Sequence, residues 1–579
     1  MHEHHTDFGT GPFPRDTAGL PRAEPTPRLA LEPGDVLDLR IGPVVNRIDG
    51  NDVRMLAYNG SIPGPTLRVR QGSHVVVNVT NDGDIDATVH WHGLRLENRF
   101  DGVPHETQQP IPVGGRFTYE VRFPDAGLYW YHPHIREDYS QEMGLYGTIV
   151  VEPSDPDYWP PVDRDVVLAI DDILLEDGRI ATFDRAGPDH TAMGRFGNVL
   201  LVNGRSGWAL DARPGEVVRF LLVNTANTRV FDVAIPGTRM KLVGGDSGRY
   251  ERETFVDHVM IAPSERAVAD VRFEEAGELT LEHRTPDRTA ALGTITVAGE
   301  PMRGAAATFE RLRSAPELVV ERERIEVELA REPDEELGLV AEMDVETPAG
   351  EAPAAYACPM DPEVVSPEPA RCPKCGMKLL PIAMVPAALE RREQASGADA
   401  SDAPDHVTEG HGGHGGPAAE GHGGHEAGGH EAGGIEWEDT MEEVNRLTTP
   451  ATMRWLLVDR KTGRRNAAIE WAFTVGDRVK IRLVNEMDSD HPMHHPFHIH
   501  GAGRFLVLSR GGEVEPNLVW KDTVLVRTGE TVDVLLDVSN PGLWMAHCHI
   551  AEHAESGMMF SFRVARSSEG EARSAGGEA

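Results

Sequence analysis

The sequence predicts a mainly β protein made of three β-sandwich domains. Three observations carry that prediction: Val-rich alternating runs recur, Gly and Pro punctuate them, and one strand–turn–strand layout is written three times. At 579 residues the chain exceeds one hydrophobic core, and a length prior of roughly three or four domains applies.

Residues 1–27 are rich in Pro and Gly and are expected to form a flexible arm. Strand signals then begin. LDLRIGPVVNRI, LRVRQGSHVVVNVTN, FTYEVRFP and YGTIVVEP are bounded by Gly, Pro, Asn and Asp, and they define a first sandwich over 28–155. A second, over 156–300, is read from DVVLAI, LLVNG, EVVRFLLVNTAN, DHVMIAPSERAVADVRF and LTLEHR. GPTLRVRQGSHVVVNVTN, ALDARPGEVVRFLLVNTAN and AIEWAFTVGDRVKIRLVNE share one layout. The third copy belongs to a domain expected over 316–565, with ERIEVELAREP as its first strand.

That third domain is interrupted. Residues 351–385 hold three of the four cysteines, and 386–434 are a His/Gly-rich stretch too poor in apolar side chains to fold alone. The flanking segments carry their own apolar faces, so the sandwich is expected to close without the insertion, which hangs from a mobile tether. Residues 566–579 are expected to be a disordered tail.

The formal charge of −38 excludes nucleic acid as a partner, because phosphate binding needs clustered Lys and Arg. Four cysteines in this arrangement imply no disulfide framework. No apolar run is long enough to span a bilayer, which takes about 18 residues. The opening MHEHHTDFGTGPFPRD has no apolar leader segment, and the compartment is left open.

The chemistry lies in four histidine motifs: His90-Trp91-His92-Gly93, His132-Pro133-His134, His495-Pro496-Phe497-His498-Ile499-His500-Gly501, and His547-Cys548-His549 followed by His553 and Met558. On a strand, residues i and i+2 share a face, so each His-x-His pair can offer two imidazoles to one site. Paired imidazoles suit copper, zinc or iron. One such pair is commonly mere packing; four clusters are not, since buried imidazoles need partners. In the last motif alternation sends His547 and His549 one way and Cys548 the other, so two metal sites share one tripeptide. A thiolate with His553, a distant His and a thioether from Met558 is the donor set of a blue-copper electron-transfer site.

HWHG, HPH, HPFHIHG and HCHIAEHAESGMM resemble the copper signatures of the multicopper oxidases, the family of laccases, cuprous oxidases and ferroxidases. The resemblance spans all three domains. It implies three cupredoxin-like Greek-key sandwiches, four copper ions, and dioxygen as the electron acceptor. One copper is type 1, with His495, Cys548 and His553 as ligands and Met558 axial. One is type 2, matching His90 and His498. Two are type 3, matching His92, His132, His134, His500, His547 and His549. Domain two resembles a copper-free spacer. His491 and His494 lack the family spacing and are expected behind the ligands or on the surface. Asp101 sits where the family commonly places an acid for proton delivery. Bacterial relatives often carry Glu directly after the last type 1 histidine, but here that residue is Ala554, which turns attention to Glu555, Glu552 or Asp101 alone.

The insertion segment YACPMDPEVVSPEPARCPKCGMKLLP resembles the small heavy-metal-binding domain attached to copper efflux proteins and metal-transporting ATPases. Cys358, Met360, Cys372, Cys375 and Met377 supply soft donors for Cu(I) or zinc. That family often has a histidine after its first Met, where this chain has Asp361.

The expected function is therefore one-electron oxidation of a donor, a phenol or Cu(I), coupled to four-electron reduction of dioxygen to water in copper tolerance. An Mn(II)/Fe(II) metallo-oxidase and a non-catalytic copper-sequestering protein are the alternatives.

Overall fold

The computed structural model describes residues 8–344, 355–398 and 433–567. The expectations for most of the His/Gly-rich stretch, for the first seven residues of the arm and for the tail from 568 lie outside them.

Three sandwiches of paired sheets follow one another. The first packs a five-stranded sheet, running from Arg28–Ala30 to the edge strand His90–His92, on a four-stranded sheet centred on Val36–Ile48 and His74–Asn81. The alternation in HVVVNVTN explains that pairing, since Val75, Val77 and Val79 are each 0% exposed. Each contributes about 1.5–3 kcal/mol relative to an exposed position. The second sandwich pairs six strands with five, and so does the third. In the third, the five-stranded sheet carries His495–Ile499 between Gly542–Cys548 and Thr523–Val526. The architecture is the cupredoxin-like three-domain fold.

The structure corrects four expectations. ERIEVELAREP is not a strand: Pro316–Leu329 is a helix, with Pro316 in its first turn. Its buried residues Leu318 and Ile325 are seven apart, a helical spacing that the E-x-E alternation masks. The first strand of the third sandwich is Glu335–Met343 instead.

The arm is packed over its described part. Phe13 is 4% exposed and stacks on Tyr139 at 3.7 Å, with the Arg185 guanidinium 4.4 Å from its ring centroid. A single aromatic inside a Pro-rich stretch is enough to anchor it.

The stretch from 386 opens as a helix, Pro386–Ala398. Just past that stretch, Ile435 and Trp437 pack with Val230, Ala262 and Leu525 between domains two and three.

The insertion does not hang free. Its three two-residue strands, Tyr356–Ala357, Val365–Ser366 and Leu380–Pro381, form a small sheet whose cysteines join the apolar cluster of domain three.

Candidate metal centre

Two sheet edges meet where domains one and three touch. His90 pairs with His132 across neighbouring strands of domain one, and His498 pairs with His547 in domain three. The imidazoles then stack across the interface, His92 on His498 at 3.8 Å and His90 on His500 at 4.0 Å. The glycines that end the two longer motifs permit this approach. Gly93 has φ +81°, and a Cβ there would clash with the Asp522 carboxylate. A Cβ on Gly501 would lie 2.8 Å from the Leu94 carbonyl oxygen and from the Trp544 ring.

Backbone carbonyls and carboxylates can only accept hydrogen bonds, so their contacts fix the tautomers. His90 Nδ1 donates to the Asp101 carbonyl at 2.7 Å, while His132 Nδ1 donates to Pro133 O, His498 Nδ1 to Asp522 O and His547 Nδ1 to Cys548 O, each at 2.8 Å. His134 Nδ1 donates to Glu137 Oε1 and His500 Nδ1 to Asp101 Oδ2, both at 2.8 Å. In all six rings the Nε2 lone pair is left to face inward. The Nε2 atoms of His90, His132, His134 and His498 are buried without any protein partner, as are Nδ1 of His92 and both nitrogens of His549. His500 Nε2 and His547 Nε2 point at one another across 3.1 Å. Convergent lone pairs with no proton between them are what metal ions require, so the donor set fits copper.

Electrostatics agree. Burial holds His92, His132, His498 and His547 well below the ordinary imidazole range and takes His500 down to about 3 and His549 to about 4, leaving them neutral and ligand-competent. Burial opposes charge on His134 as well, but there the Glu137 carboxylate outweighs it and the net shift is upward. Burial pushes Asp101 up, yet His500 and His90 overcome it and hold its carboxyl well below the usual range. Three groups each gather donor atoms within 4.8 Å: His90, His92 and His132; His90, His498 and His500; and His134, His500 and His547.

A separate group lies on the other face of the Gly542–Cys548 strand. Cys548 Sγ is 3.5 Å from His495 Nδ1 and 3.7 Å from His553 Nδ1. The Cys548 amide donates to Met558 O at 3.1 Å, which keeps the fully buried Met558 alongside. Trp455 stacks on His553 at 3.9 Å and meets His495 edge-on at 4.9 Å.

Of the other predicted residues, Asp101 joins the cluster through His500 and His90. Glu555 lines a cavity of about 1150 Å³ that reaches His134, and its Oε1 accepts from the Glu137 amide at 3.0 Å. Burial, reinforced by Asp138, pushes Glu555 up to about 7 and Glu552 up to about 8. His491 and His494 are both 0% exposed, so a surface location is ruled out. In the insertion, Cys358, Cys372 and Cys375 converge with Asp361, while Met377 is buried in the apolar cluster and Met360 packs against it.

Sequence reasoning missed several groups. Glu137 lies only three residues after His134, but a bend at 134–136, and not a helical turn, folds it back onto the ring. Trp455, on the strand Met453–Asp459, and Asp522, in the bend just before the strand Thr523–Val526, are brought in by the fold. Arg266, in domain two, gave no signal at all.

Three family models described as multicopper oxidase match residues 43–156, 176–278 and 439–568, and a heavy metal binding domain model matches 355–382. The chain is 29% identical over 321 residues to copper resistance protein A of Pseudomonas syringae pv. tomato, covering 48% of this chain and 52% of that protein. It is 32% identical over 275 residues to the multicopper oxidase MmcO of Mycobacterium tuberculosis, covering 42% and 53%. The chain thus spans about half the length of the curated relatives it matches. Among solved structures, a multi-copper oxidase from Pseudomonas thermotolerans superposes with TM-score 0.59 at 23% identity, covering 93% of this chain and 100% of that one. McoA from Aquifex aeolicus gives 0.59 at 20% identity, covering 94% and 100%. With sequence models matched in every domain and the signature histidines gathered into two buried donor sets, the chain belongs to the multicopper oxidases, a family whose cofactor is copper.

Proposed function

We propose that this protein oxidises a donor one electron at a time and reduces dioxygen to water, in the service of copper tolerance. The observation that carries the reading is the placement of Cys548. Its thiol faces His495 and His553, while its covalent neighbours His547 and His549 face the cluster. A path of a few bonds therefore joins a one-electron port to a multi-histidine pocket.

Four coppers are assigned. His495, Cys548, His553 and Met558 would hold the type 1 copper, His90 and His498 the type 2, and His92, His132, His134, His500, His547 and His549 the type 3 pair. Copper at these sites supplies reversible one-electron redox chemistry and the capacity to bind and reduce dioxygen. The chain's own groups do the rest. Asp101 stays ionised and keeps the Nδ1 proton of His500 in place, so its role is orienting. Glu555 is the proton donor this reading favours: it sits on the wall of the cavity that reaches His134, and burial keeps it protonated up to about pH 7.

Cu(I) is preferred over phenols as the physiological donor. The His495 and His553 rings are 1% and 0% exposed, too enclosed for direct contact with a bulky aromatic, and the chain resembles proteins named for copper resistance. Steady-state oxygen uptake with Cu(I), a phenol, Fe(II) and Mn(II) in parallel tests the reading. Cu(I) should give the highest kcat/KM; a clear preference for Fe(II) or Mn(II) would transfer the assignment to a metallo-oxidase, and no uptake with any donor would leave only copper storage.

A further inference from the structure

We propose that Cys358, Asp361, Cys372 and Cys375 bind one divalent ion of the zinc class, and that this ion seats the insertion on the 487–492 segment leading to His495. The link to electron uptake rests on reading His495 as a type 1 ligand; the ion assignment does not.

The geometry is that of a closed four-donor site. Zinc holds sulfur at about 2.3 Å and carboxylate oxygen at about 2.0–2.2 Å in a tetrahedron, so neighbouring donors should stand roughly 3.5–3.8 Å apart. Cys358 Sγ lies 3.5 Å from Cys375 Sγ and 3.7 Å from Asp361 Oδ2, and Cys372 Sγ lies 3.2 Å from the same oxygen. All four donor atoms fall within 4.8 Å of one another. The donor types then select the ion. Cu(I) favours soft sulfur throughout, magnesium and calcium favour oxygen throughout, and zinc accepts both. The carboxylate of Asp361 in place of a soft donor therefore turns the site away from Cu(I) carriage. Arg371, Lys374 and Lys378, on the same loop, offset the negative charge of three thiolates and a carboxylate; Lys374 Nζ is 3.9 Å from Asp361 Oδ1.

The module needs such a clamp. Its regular structure between 355 and 384 is three strands of two residues each plus one short 3-10 turn, so little backbone hydrogen bonding fixes its loops, even though its apolar side chains pack into the domain-three cluster. The cysteine loop is also the part that grips domain three. Lys378 N donates to Asp490 O at 2.8 Å, and Lys378 Nζ reaches Asp490 Oδ2 at 3.1 Å and Met343 O at 2.7 Å. The Arg371 guanidinium donates to Ser489 O and lies 3.3 Å from carboxylate oxygens of Asp488 and Asp490. From Asp490 the chain runs through buried His491, Met493 and His494 straight to His495. An ion that fixes the backbone between Cys372 and Cys375 thereby fixes Arg371 and Lys378, and with them the approach to His495.

The test uses the full-length copper-loaded protein supplied with zinc. Zinc K-edge absorption is blind to copper. It should report one zinc per chain with three sulfurs at about 2.3 Å and one oxygen at about 2.0 Å, and Asp361→Ala should leave the three sulfurs while weakening retention by roughly 10–100-fold. Hydrogen exchange should show 371–378 and 487–494 at least several-fold less protected in Cys372→Ser/Cys375→Ser than in the parent, with the blue absorption retained. The proposal is overturned if zinc is not retained, if copper with an all-sulfur shell displaces it when both are offered, or if the double variant protects 487–494 as the parent does. None of these readouts involves turnover, so they fail separately from the oxidase reading.

Discussion

Arg266 of domain two grips Asp522 of domain three through two contacts of 2.6 and 2.5 Å, and neither residue is more than 2% exposed. Asp522 is itself committed to the cluster: its carbonyl accepts from His498, and its Oδ1 lies 3.1 Å from His92 Nε2. The domain without copper motifs thus steadies one imidazole from each of the other two, and is more than a spacer.

Arg266→Leu should cost about 3–5 kcal/mol, the usual penalty for leaving one half of a buried ion pair uncompensated. Denaturant unfolding reads that loss. Copper content measured alongside should fall in the cluster while the blue absorption survives; full copper occupancy would show that Arg266 does not position His498 and His92.

Cys548→Ser should abolish the intense thiolate-to-copper absorption and all turnover, because no other sulfur ligand of comparable strength is available. On the proposed assignment Met558→Leu should stay blue with a raised reduction potential, since only a weak thioether donor would be removed. Redox titration checks this, and an unchanged potential would take Met558 out of the axial role.

His498→Ala should suppress oxygen uptake and yet leave the blue site reducible by donors. The two donor sets lie on opposite faces of the Gly542–Cys548 strand, so loss of one need not disturb the other. Anaerobic bleaching of the blue band separates the outcomes, and its disappearance on purification would mean that the ligands are wrongly divided.

Glu555 sets a pH expectation. Its proton is present below about pH 7 and is lost as pH rises through that value, so proton-limited turnover should fall along the same limb. Glu555→Gln should lower kcat by roughly 10²–10⁴-fold and flatten that limb. Its contribution to stability has the same sign: complete below the ordinary value of 4.5 and lost as pH climbs through about 7. Retention of the limb in the variant would shift attention to Glu552.

Replacing the insertion with a short Gly/Ser linker should leave the blue absorption in place and raise kcat/KM for a bulky phenol several-fold, because the loop that packs over 487–492 is gone. Unchanged phenol kinetics would mean that another segment limits access to His495 and His553.

The copper chemistry was legible in the sequence because it is written in short, locally periodic motifs. Two-residue alternation carries His90 and His92, or His547 and His549, to a common face whatever the rest of the chain does. What could not be read was long-range. Asp522, Trp455 and Arg266 meet the ligands only through strand order and domain docking, and no spacing rule connects residue 266 to residue 522. The helix at Pro316–Leu329 was misread for a different reason: an alternating Glu/apolar run fits period two as well as it hides the seven-residue spacing of Leu318 and Ile325. Asp361 looked like a loss against the family pattern, and only the folded loop brings its carboxylate among the thiols.

The facing Nε2 atoms of His500 and His547, and the rings stacked across the seam between domains one and three, bear on how the molecule is assembled. With each Nδ1 proton committed to an acceptor, the nitrogens that face one another across the seam are lone-pair donors from two different domains. That seam is therefore where bound copper would add most to the stability of the whole molecule, because the buried Nε2 atoms of His90, His132, His134 and His498 have no protein partner there.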